Sequence, residues 1–431
     1  MRVIFPFAYY YPEQCAGIYL VDDLMQALAN NGIESYLSVP SPTRNVKQDA
    51  KWYRTEKMCN GKVVVHRFRM YGEGKNPVFR ALRYFFCECV QLHYMLWKNY
   101  DVAFIDSTPP IQGLKLAIVR LFRKKPIVYN LQDIFPDSLV GTGLAKKDGL
   151  LWKIGRRIEN FTYRNADKII VISQDFKRNI MSKGVPEEKI EVVYNWVDEN
   201  AIIPVKDEEN ELFEEFGISR EKFRVVYAGN LGNAQNIEII VNAARRLKDN
   251  KEIEFIIFGK GGLEDEIKDT KAKEQLDNLK ILPLQPYERV AKVYGLGHVC
   301  IVACKPGLGG AAMPSKTWSI MSSGRAVLAN FDEGELKEIL EGGSALRQAQ
   351  GPQPCGVFTK AGDLEGFVNA IEELSQHPER CAEMGRNGRQ FILDNLTREV
   401  GTRKYVEVIR QVAEKSSSLS DGHGLMIESE Y

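Results

Sequence analysis

The sequence lacks the long apolar segment that a membrane-spanning helix requires. No uncharged apolar run approaches the roughly 18 residues that cross a bilayer, although 44% of the 431 residues are hydrophobic. The chain opens on Met1-Arg2 and the strand-like run VIFPFAYYYP, which ends at a proline and not at a small-residue cleavage site. We therefore expect a protein of the cytoplasm, or one bound peripherally to the inner face of the plasma membrane.

Patterns for metal, disulfide and nucleic-acid sites are also missing. The eight cysteines are scattered, and neither Cys87/Cys89 nor Cys300/Cys304 has a second cysteine pair or nearby histidines, so no metal site is predicted. A net charge of +1 argues against nucleic-acid binding by bulk electrostatics. No strand is followed by a G-x-G-x-x-G fingerprint, which argues against a dehydrogenase.

The chain is too long for one hydrophobic core and carries the pattern of two. Single cores seldom exceed about 250–300 residues, and short apolar runs alternate with helical stretches in both halves. This alternation predicts an α/β protein with two Rossmann-like, doubly wound parallel sheets. We expect an N-terminal domain over residues 1–200, a C-terminal domain over 201–395, a helix over 396–414 that packs back on the first domain, and a disordered tail over 415–431.

Residues that directly follow the predicted strands are the first candidates for a ligand site. Ligands of open α/β sheets bind beyond the carboxyl ends of the strands. Gly17 precedes a helix, where it either lets the backbone approach an anion or forms a simple turn. Asp133 follows the run PIVYNLQ and is placed to orient a hydroxyl group or to accept its proton.

The second half holds a glycine turn of the kind that cradles phosphate. Gly229 and Gly232 bracket Asn230 after the run FRVVYA and before a predicted helix. Such turns are weak signals when they occur alone.

A second glycine-rich segment precedes a lysine at a predicted helix start. Gly307, Gly309 and Gly310 let backbone amides approach a ligand, and Pro314 favours the first helical turn beside Lys316. A lysine in that turn opposes the helix dipole unless an anion binds there. A diphosphate is such an anion; the alternative is a solvated lysine on a surface helix.

Residues 165–200 carry an ordered pattern: Ala-Asp before a strand, a Ser at its end, Gly-Val-Pro, and a strand that closes in Asn-x-Val-Asp. This pattern resembles the end of the N-terminal domain in the family-4 glycosyltransferases of the GT-B fold. The runs YAGNLGNAQNIEIIVNAARRL and IEFIIFGKGG are similar to the first two strands of the donor domain. The segments YNLQDIFPDS and PSK resemble the branch that assembles capsule, O-antigen and other bacterial surface polysaccharides.

The resemblance implies two domains that face a central cleft and that bind different substrates. The C-terminal domain would bind a nucleoside-diphosphate sugar, expected to be UDP-linked, and the N-terminal domain a glycan acceptor that is often lipid-linked. Transfer would retain the anomeric configuration and need no metal or other cofactor. The developing charge on the leaving diphosphate would be stabilised electrostatically.

The resemblance also assigns roles to residues of this sequence. Lys316 would bind the diphosphate, and Asp133 would orient the acceptor hydroxyl. The donor-binding set comprises Gly229, Asn230, Gly307, Gly310, Ser315, Lys316, Thr317, Ser319, Glu333 and Glu335. Gly17 and Gln132 are candidates for acceptor or phosphate contacts.

This chain departs from the family pattern at positions that usually carry charge. Ala311 and Ser319 stand where many members have the two glutamates of a Glu-x7-Glu motif, which leaves Ser319, Glu333 and Glu335 as candidates to hold sugar and ribose hydroxyls. Asn230 and Gln235 stand where many members have the Arg and Lys that hold the diphosphate. Gln132 stands at the position of a common histidine.

Two other functions remain open, and so do the partners. A nucleotide-sugar epimerase of GT-B shape needs several acidic or histidine groups around the sugar, which Ala311 and Ser319 do not supply. A non-catalytic nucleotide-sugar binder would fit the missing carboxylates. Three helical stretches, residues 76–98, 114–125 and 150–165, mix Lys and Arg with aromatic residues, which suits either a membrane surface or a core with a solvated basic face. The oligomeric state is not predicted.

Overall fold

The computed structural model describes residues 1–13, 17–43, 46, 50–72, 76–107, 110–141, 146–309, 313–343 and 353–424. Two compact units account for the chain: Met1–Tyr194 together with Glu399–Tyr431, and Asn195–Arg398. The second unit therefore begins before the predicted boundary at residue 200 and extends past residue 395.

The first unit is an eight-stranded sheet with helices on both faces. Its strands, in chain order, are β1 (Arg2–Pro6), β2 (Glu34–Pro40), β3 (Thr55–Met58), β4 (Val63–Phe68), β5 (Val102–Asp106), β6 (Ile127–Leu131), β7 (Lys168–Val171) and β8 (Ile190–Val192). Its helices are α1 (Ile18–Asn30), α2 (Pro77–Trp97), α3 (Leu114–Arg123), α4 (Asp137–Gly141), α5 (Leu150–Asn165) and α6 (Gln174–Ser182). The strands lie in the order β3-β4-β2-β1-β5-β6-β7-β8, and all pair in parallel except β3 with β4.

The strand order sets which helices share a face. The connections through α2, α3 and α5 all run in one direction across the sheet, whereas the connection through α1 runs in the other. Because parallel crossovers are right-handed, α2, α3 and α5 lie on one face and α1 on the other. The α2–α3 and α3–α5 pairs pack side by side. The order reverses between β1 and β5, which is where ligands of such sheets usually bind.

The second unit is a six-stranded parallel sheet with the order β11-β10-β9-β12-β13-β14. Its strands are β9 (Phe223–Asn230), β10 (Ile253–Lys260), β11 (Leu279–Pro283), β12 (Val299–Ala303), β13 (Ala326–Phe331) and β14 (Gly356–Lys360). Its helices are α7 (Leu212–Glu215), α8 (Ile237–Arg246), α9 (Glu264–Glu274), α10 (Val290–Gly295), α11 (Lys316–Ser322), α12 (Glu335–Leu340), α13 (Leu364–Gln376) and α14 (Pro378–Asn395).

The central strands of this second sheet are buried almost throughout. Every residue of β12 and β13 is buried, as is β10 up to its last residue, because helices cover both faces of a parallel sheet. The order reverses between β9 and β12. The segments after these two strands are the two glycine-rich segments singled out in the sequence, so the fold brings them to one edge.

The last helix, α15 (Arg398–Gly424), is longer than predicted. All but its first residue belongs to the first unit. The helix continues through residues 415–424, where the sequence predicted a disordered tail; residues 425–431 lie outside the described part. Once a helix has nucleated on an apolar face, a polar extension needs no core contact of its own.

Candidate active site

The amino group of Lys316 lies against the phenol of Tyr227 in the second unit. Its Nζ donates a hydrogen bond to the Tyr227 hydroxyl at 3.1 Å and sits 4.3 Å from the ring centroid. Tyr227 is fully buried and donates its own hydroxyl hydrogen to the carbonyl oxygen of Asn230 at 2.8 Å. A continuous line of contacts therefore joins the first residue of α11 to the carboxyl end of β9.

No acidic side chain of the described residues offsets the charge of Lys316. Within the described residues, no carboxylate oxygen lies within 4.0 Å of its Nζ, and the lysine is half-buried. Burial lowers the pKa of Lys316 to about 8, because the charged amine loses water without gaining a partner of opposite charge. A bound anion would supply that partner.

Gly229 provides the space that the lysine occupies. A Cβ atom at this position would lie 3.0 Å from Nζ of Lys316 and 3.5 Å from the hydroxyl oxygen of Tyr227. Its φ of +148° is also one that residues with side chains rarely adopt. The strand end therefore favours glycine for two reasons.

The side chains of Asn230 and Gln235 approach each other on the other side of this turn. Nδ2 of Asn230 is 3.5 Å from Oε1 of Gln235. These are the two positions where the resemblance would place cations. The structure thus has two neutral amides where a diphosphate would otherwise meet two positive charges, and the amine of Lys316 lies against the tyrosine at the end of the same strand.

The glycine-rich loop after β12 is tied to the end of β13. The backbone N–H of Gly309 donates to Oδ2 of Asp332 at 2.7 Å, and a Cβ atom at Gly309 would lie 2.7 Å from the ring of Phe331. Gly307 has a φ of +86° and open space around it. Gly310 and Ala311 lie outside the described residues. Sequence reasoning did not assign a role to Asp332; its position directly after a buried strand was the available signal.

The remaining donor candidates on α11 differ in exposure. Ser315 is exposed and Ser319 is half-buried. Thr317 is fully buried, and its hydroxyl has no hydrogen-bond partner within the described residues. The helix itself begins at Lys316, and the N–H of Thr317 donates to the carbonyl oxygen of Pro314 at 3.0 Å. Pro314 therefore starts the turn that leads into the helix and does not belong to the helix.

The two glutamates after β13 differ in their surroundings. Glu333 is exposed, and its carboxylate lies 3.6 Å from Nζ of Lys337 on the helix that follows, α12. Glu335 is buried at the start of α12. Within the described residues no contact joins either glutamate to the lysine site, so a role in holding sugar or ribose hydroxyls stays a prediction.

In the first unit, the backbone at Gln132 and Asp133 is held by one serine. Both N–H groups donate to the hydroxyl oxygen of Ser107, at 2.9 and 3.3 Å. Oδ2 of Asp133 accepts a hydrogen bond from Ser138 at 3.2 Å. Asp133 stays accessible to solvent, but partial desolvation raises the pKa of its carboxyl group, and the bonds from Ser138 and Ile134 offset part of that rise.

A second carboxylate, Asp106, ends the strand next to the one that leads to Asp133. It accepts a hydrogen bond from Asn130, with which it is in register across β5 and β6. No sequence motif pointed to Asp106, because a polar residue is common at the end of a strand.

Gly17 lies at the reversal point of the first sheet. It has a φ of +88°, and its carbonyl oxygen accepts the N–H of Leu20 at 3.0 Å where α1 begins. This geometry fits a strand-to-helix turn, and the anion contact stays a prediction.

Two family models match the chain, one for each half. The model described as Glycosyltransferase Family 4 matches residues 19–201, and the model described as Glycosyl transferases group 1 matches residues 208–391. Together they span most of the chain. The protein is a glycosyltransferase that belongs to family 4 and has the GT-B fold.

Individual relatives and solved structures are similar to the chain over most of its length. It is 28% identical to the probable glycosyltransferase WbjE of Pseudomonas aeruginosa over 73% of this chain and 76% of that protein. It is 29% identical to WcaI of Escherichia coli, named as a colanic acid biosynthesis glycosyl transferase, over 62% of this chain and 67% of that protein. A sucrose-phosphate synthase structure from Thermosynechococcus elongatus superposes with a TM-score of 0.70 at 15% identity, over 95% of this chain and 98% of that one. Anabaena Alr3699/HepE in complex with UDP gives a TM-score of 0.68 at 14% identity, over 95% and 100%.

The described residues contain neither a membrane-spanning helix nor a cluster of metal ligands. Within the described ranges, no helix is long and apolar enough to cross a membrane. The same part of the chain contains no group of three or more His, Cys, Asp or Glu side chains arranged to hold a metal ion.

Proposed function

We propose that this protein is a retaining glycosyltransferase that moves a hexose or an N-acetylaminosugar from a UDP-linked donor to a lipid-linked glycan acceptor. Its role would be in the assembly of a bacterial surface polysaccharide such as capsule or O-antigen, on the cytoplasmic side of the plasma membrane. The observation that carries the proposal is the half-buried amine of Lys316, which has no acidic partner within the described residues and lies at the strand-order reversal of the second sheet.

The donor assignment is supported by charge and by the relatives. A diphosphate would replace the water that Lys316 has lost and would restore the partner that its charge lacks. Anabaena Alr3699/HepE, which shares the fold, has been solved with UDP and with UDP-glucose. WcaI is named for colanic acid biosynthesis, which supports a polysaccharide as the product.

The proposed chemistry requires that charge on the leaving diphosphate be stabilised as the glycosidic bond breaks. The ammonium group of Lys316 and the backbone amide of Gly307 are the candidates for this role in the second unit, and the bond from Gly309 to Asp332 holds the loop that carries Gly307. Fixed charges and dipoles of this kind commonly provide the largest single contribution to a rate enhancement. As the resemblance implies, the proposed chemistry includes no metal ion.

The acceptor is assigned to the first unit, where Asp133 and Gln132 follow β6. The partly desolvated carboxylate of Asp133 would accept a hydrogen bond from the acceptor hydroxyl and orient it. The position after a strand end beside the reversal point of the sheet is the usual place for such groups.

Contact with a membrane is supported by the outer surface of α2, α3 and α5, which we call the apolar–basic face. More than half of the exposed large apolar side chains of the described chain lie on these three helices. They are Val78, Phe79, Leu82, Phe85, Phe86, Trp97, Leu114, Ile118, Leu121, Phe122, Leu150, Leu151, Ile154 and Phe161.

The charges on this face are of one sign. The exposed charged side chains of the three helices are all basic: Arg80, Arg120, Lys153, Arg157 and Arg164. The two acids of these helices, Glu88 and Glu159, are mostly buried and pair with lysines. An apolar surface with cations and no exposed acid matches the interface of a bilayer that contains anionic lipids.

An open cavity connects this face to the sheet edge. It has a volume of about 770 Å³, lies beyond the ends of β2 and β4, and is lined by residues that include Trp52, Arg69, Met70, Phe86 and Val90. Phe86 and Val90 belong to α2. Apolar walls beside an exposed arginine suit an acceptor with an apolar chain next to an anionic group.

The donor assignment is tested by replacing Lys316 with alanine and titrating UDP-glucose by calorimetry. Loss of this cation should weaken binding at least about tenfold, as expected for a charge-assisted contact of roughly 1.5–3 kcal/mol. The matched control is Lys260→Ala, because Lys260 is an exposed lysine at the end of the neighbouring strand β10. Equal affinity of Lys316→Ala and the parent would refute the assignment. Isomerisation of the sugar without an acceptor would instead indicate an epimerase.

A further inference from the structure

Asp106 is a carboxylate that the proposed transfer reaction leaves without a role. Its Oδ1 accepts a hydrogen bond from Nδ2 of Asn130 at 3.0 Å. Burial raises its pKa to about 7, and the hydrogen bonds from Ser107 and Asn130 offset only part of the rise. The group therefore titrates near neutral pH at the edge of the sheet that carries Gln132 and Asp133.

The opposite end of the Asn130 amide is also occupied. Its Oδ1 accepts a hydrogen bond from the hydroxyl of Tyr405 at 2.9 Å and from Nε2 of Gln132 at 3.1 Å. Nε2 of Gln132 lies 3.4 Å from the Tyr405 hydroxyl as well. Tyr405 belongs to α15, so the last helix of the chain closes this network over the end of β6.

The orientation of the Asn130 amide depends on the ionisation of Asp106. An amide has one donating end and one accepting end, and an ionised carboxylate only accepts. Ionised Asp106 therefore directs the Asn130 NH₂ group toward itself and the carbonyl oxygen toward Gln132. A protonated Asp106 can also donate, which permits the reverse orientation and would set the NH₂ groups of Asn130 and Gln132 against each other.

The titratable groups that face Asp106 from the elements packed on it are phenols. Tyr129 on β6 and Tyr405 on α15 both have a raised pKa, chiefly because they are buried, and the charge of Asp106 adds to the rise. Both phenols therefore stay neutral. Within the described residues, no cation is among the causes that shift the pKa of Asp106. The ionisation state of Asp106 is therefore what changes with pH in this network.

We propose that Asp106 is a positioning residue for the acceptor edge: through Asn130, and together with Tyr405, its ionised carboxylate fixes the amide of Gln132 beside Asp133. The proposal rests on the proposed function only in assigning this edge to the acceptor. Its structural part, the coupling of Asp106 to Gln132, can be measured without any substrate.

The coupling is tested by measuring how far Gln132→Ala lowers the Tm of thermal unfolding. The measurement is made in the parent protein and in the Asp106→Asn variant. In the parent, the loss in Tm should be larger at about pH 8 than at about pH 5.5 by roughly 2 °C, since coupled neighbours typically interact by 0.5–3 kcal/mol. In the Asp106→Asn background, the loss should be the same at both pH values. A pH-independent cost in the parent, or the same pH dependence in both backgrounds, would overturn the proposal.

The functional part is tested with UDP-glucose as donor and n-octyl β-glucoside as acceptor, by measuring acceptor-dependent UDP release. The kcat/KM for the acceptor should rise through about pH 7 in the parent and be flat in Asp106→Asn. Tyr405→Phe keeps the ring that packs 5.9 Å from Phe104 but removes the hydroxyl. It should lower that kcat/KM about threefold or more, as expected for one lost hydrogen bond, and leave the Kd for UDP unchanged. If the parent transfers no sugar to this acceptor, that result weighs against the proposed function, and the Tm measurements still decide the role of Asp106.

Discussion

A side chain at Gly229 would crowd the amine of Lys316, because a Cβ atom there would lie 3.0 Å from Nζ. Because Gly229 has no side chain, the end of β9 leaves room for the lysine amine. The lysine reaches across this space to Tyr227, and that contact is what holds its charge at the sheet edge.

Replacing Gly229 with alanine should therefore weaken donor binding without touching the lysine itself. The new methyl group displaces the amine, and the backbone at φ +148° disfavours any side chain. We expect the Kd for UDP to rise about tenfold and Tm to fall, since strain of this kind costs roughly 1–3 kcal/mol. Gly262→Ala is the control, because a Cβ atom there meets open space. Unchanged UDP affinity in Gly229→Ala would contradict the assignment of this turn to the donor.

The affinity for UDP should fall as the pH rises above about 8. The pKa of Lys316 is lowered to about 8 in the free protein, so the amine loses its charge above that value, and a bound diphosphate would be needed to keep the proton. If the neutral amine does not bind, the Kd rises by up to about tenfold per pH unit. Calorimetric titrations between about pH 7 and 9 measure this effect.

The matched control for this pH dependence is Lys316→Arg. Arginine stays charged over the whole range, so its Kd should vary only with the ionisation of UDP itself. Parallel pH profiles for the parent and the arginine variant would rule out Lys316 as the titrating group.

Asp332→Ala should loosen the glycine-rich loop. It removes the acceptor for the N–H of Gly309, which lies 2.7 Å from Oδ2. A hydrogen bond to a charged group contributes roughly 1.5–3 kcal/mol, so donor affinity should fall about tenfold or more if the ordered loop binds the donor. Asp332→Asn keeps an accepting oxygen and should lose much less. Equal losses in the two variants would show that the negative charge matters, and not the hydrogen bond to the loop.

Removing two apolar side chains from the apolar–basic face should weaken membrane binding without destabilising the fold. Leu121 and Phe122 are 71% and 69% exposed, so the double change to serine costs little packing. Sedimentation with vesicles of phosphatidylglycerol and phosphatidylethanolamine at about 0.1 M salt should fall about tenfold or more relative to the parent. The control is Leu284→Ser with Tyr287→Ser, two half-exposed residues of the second unit. A parent that stays in the supernatant with these vesicles would contradict the membrane proposal.

Much of the fold could be predicted from local patterns. Runs such as FRVVYAGN and IEFIIFGK predict buried strands by composition alone, and they form β9 and β10. The antiparallel edge strand β3 was not predicted, because TEKM is polar and exposed and pairs only at the edge of the sheet. The full length of α15 was not predicted for a similar reason: its last residues lack the apolar periodicity that indicates a helix.

The sequence by itself determined that two parallel sheets would form, that ligand groups would follow their strands, and that Lys316 would be a cation without the usual carboxylates nearby. Each of these follows from residue type, spacing or a local pattern. Only the tertiary structure decided which groups meet: Tyr227 with Lys316, Asp332 with Gly309, and Asp106 with Asn130 and Tyr405. The partners in these contacts come from different strands, helices or loops, and their proximity depends on strand order and register, which periodicity along the chain does not encode.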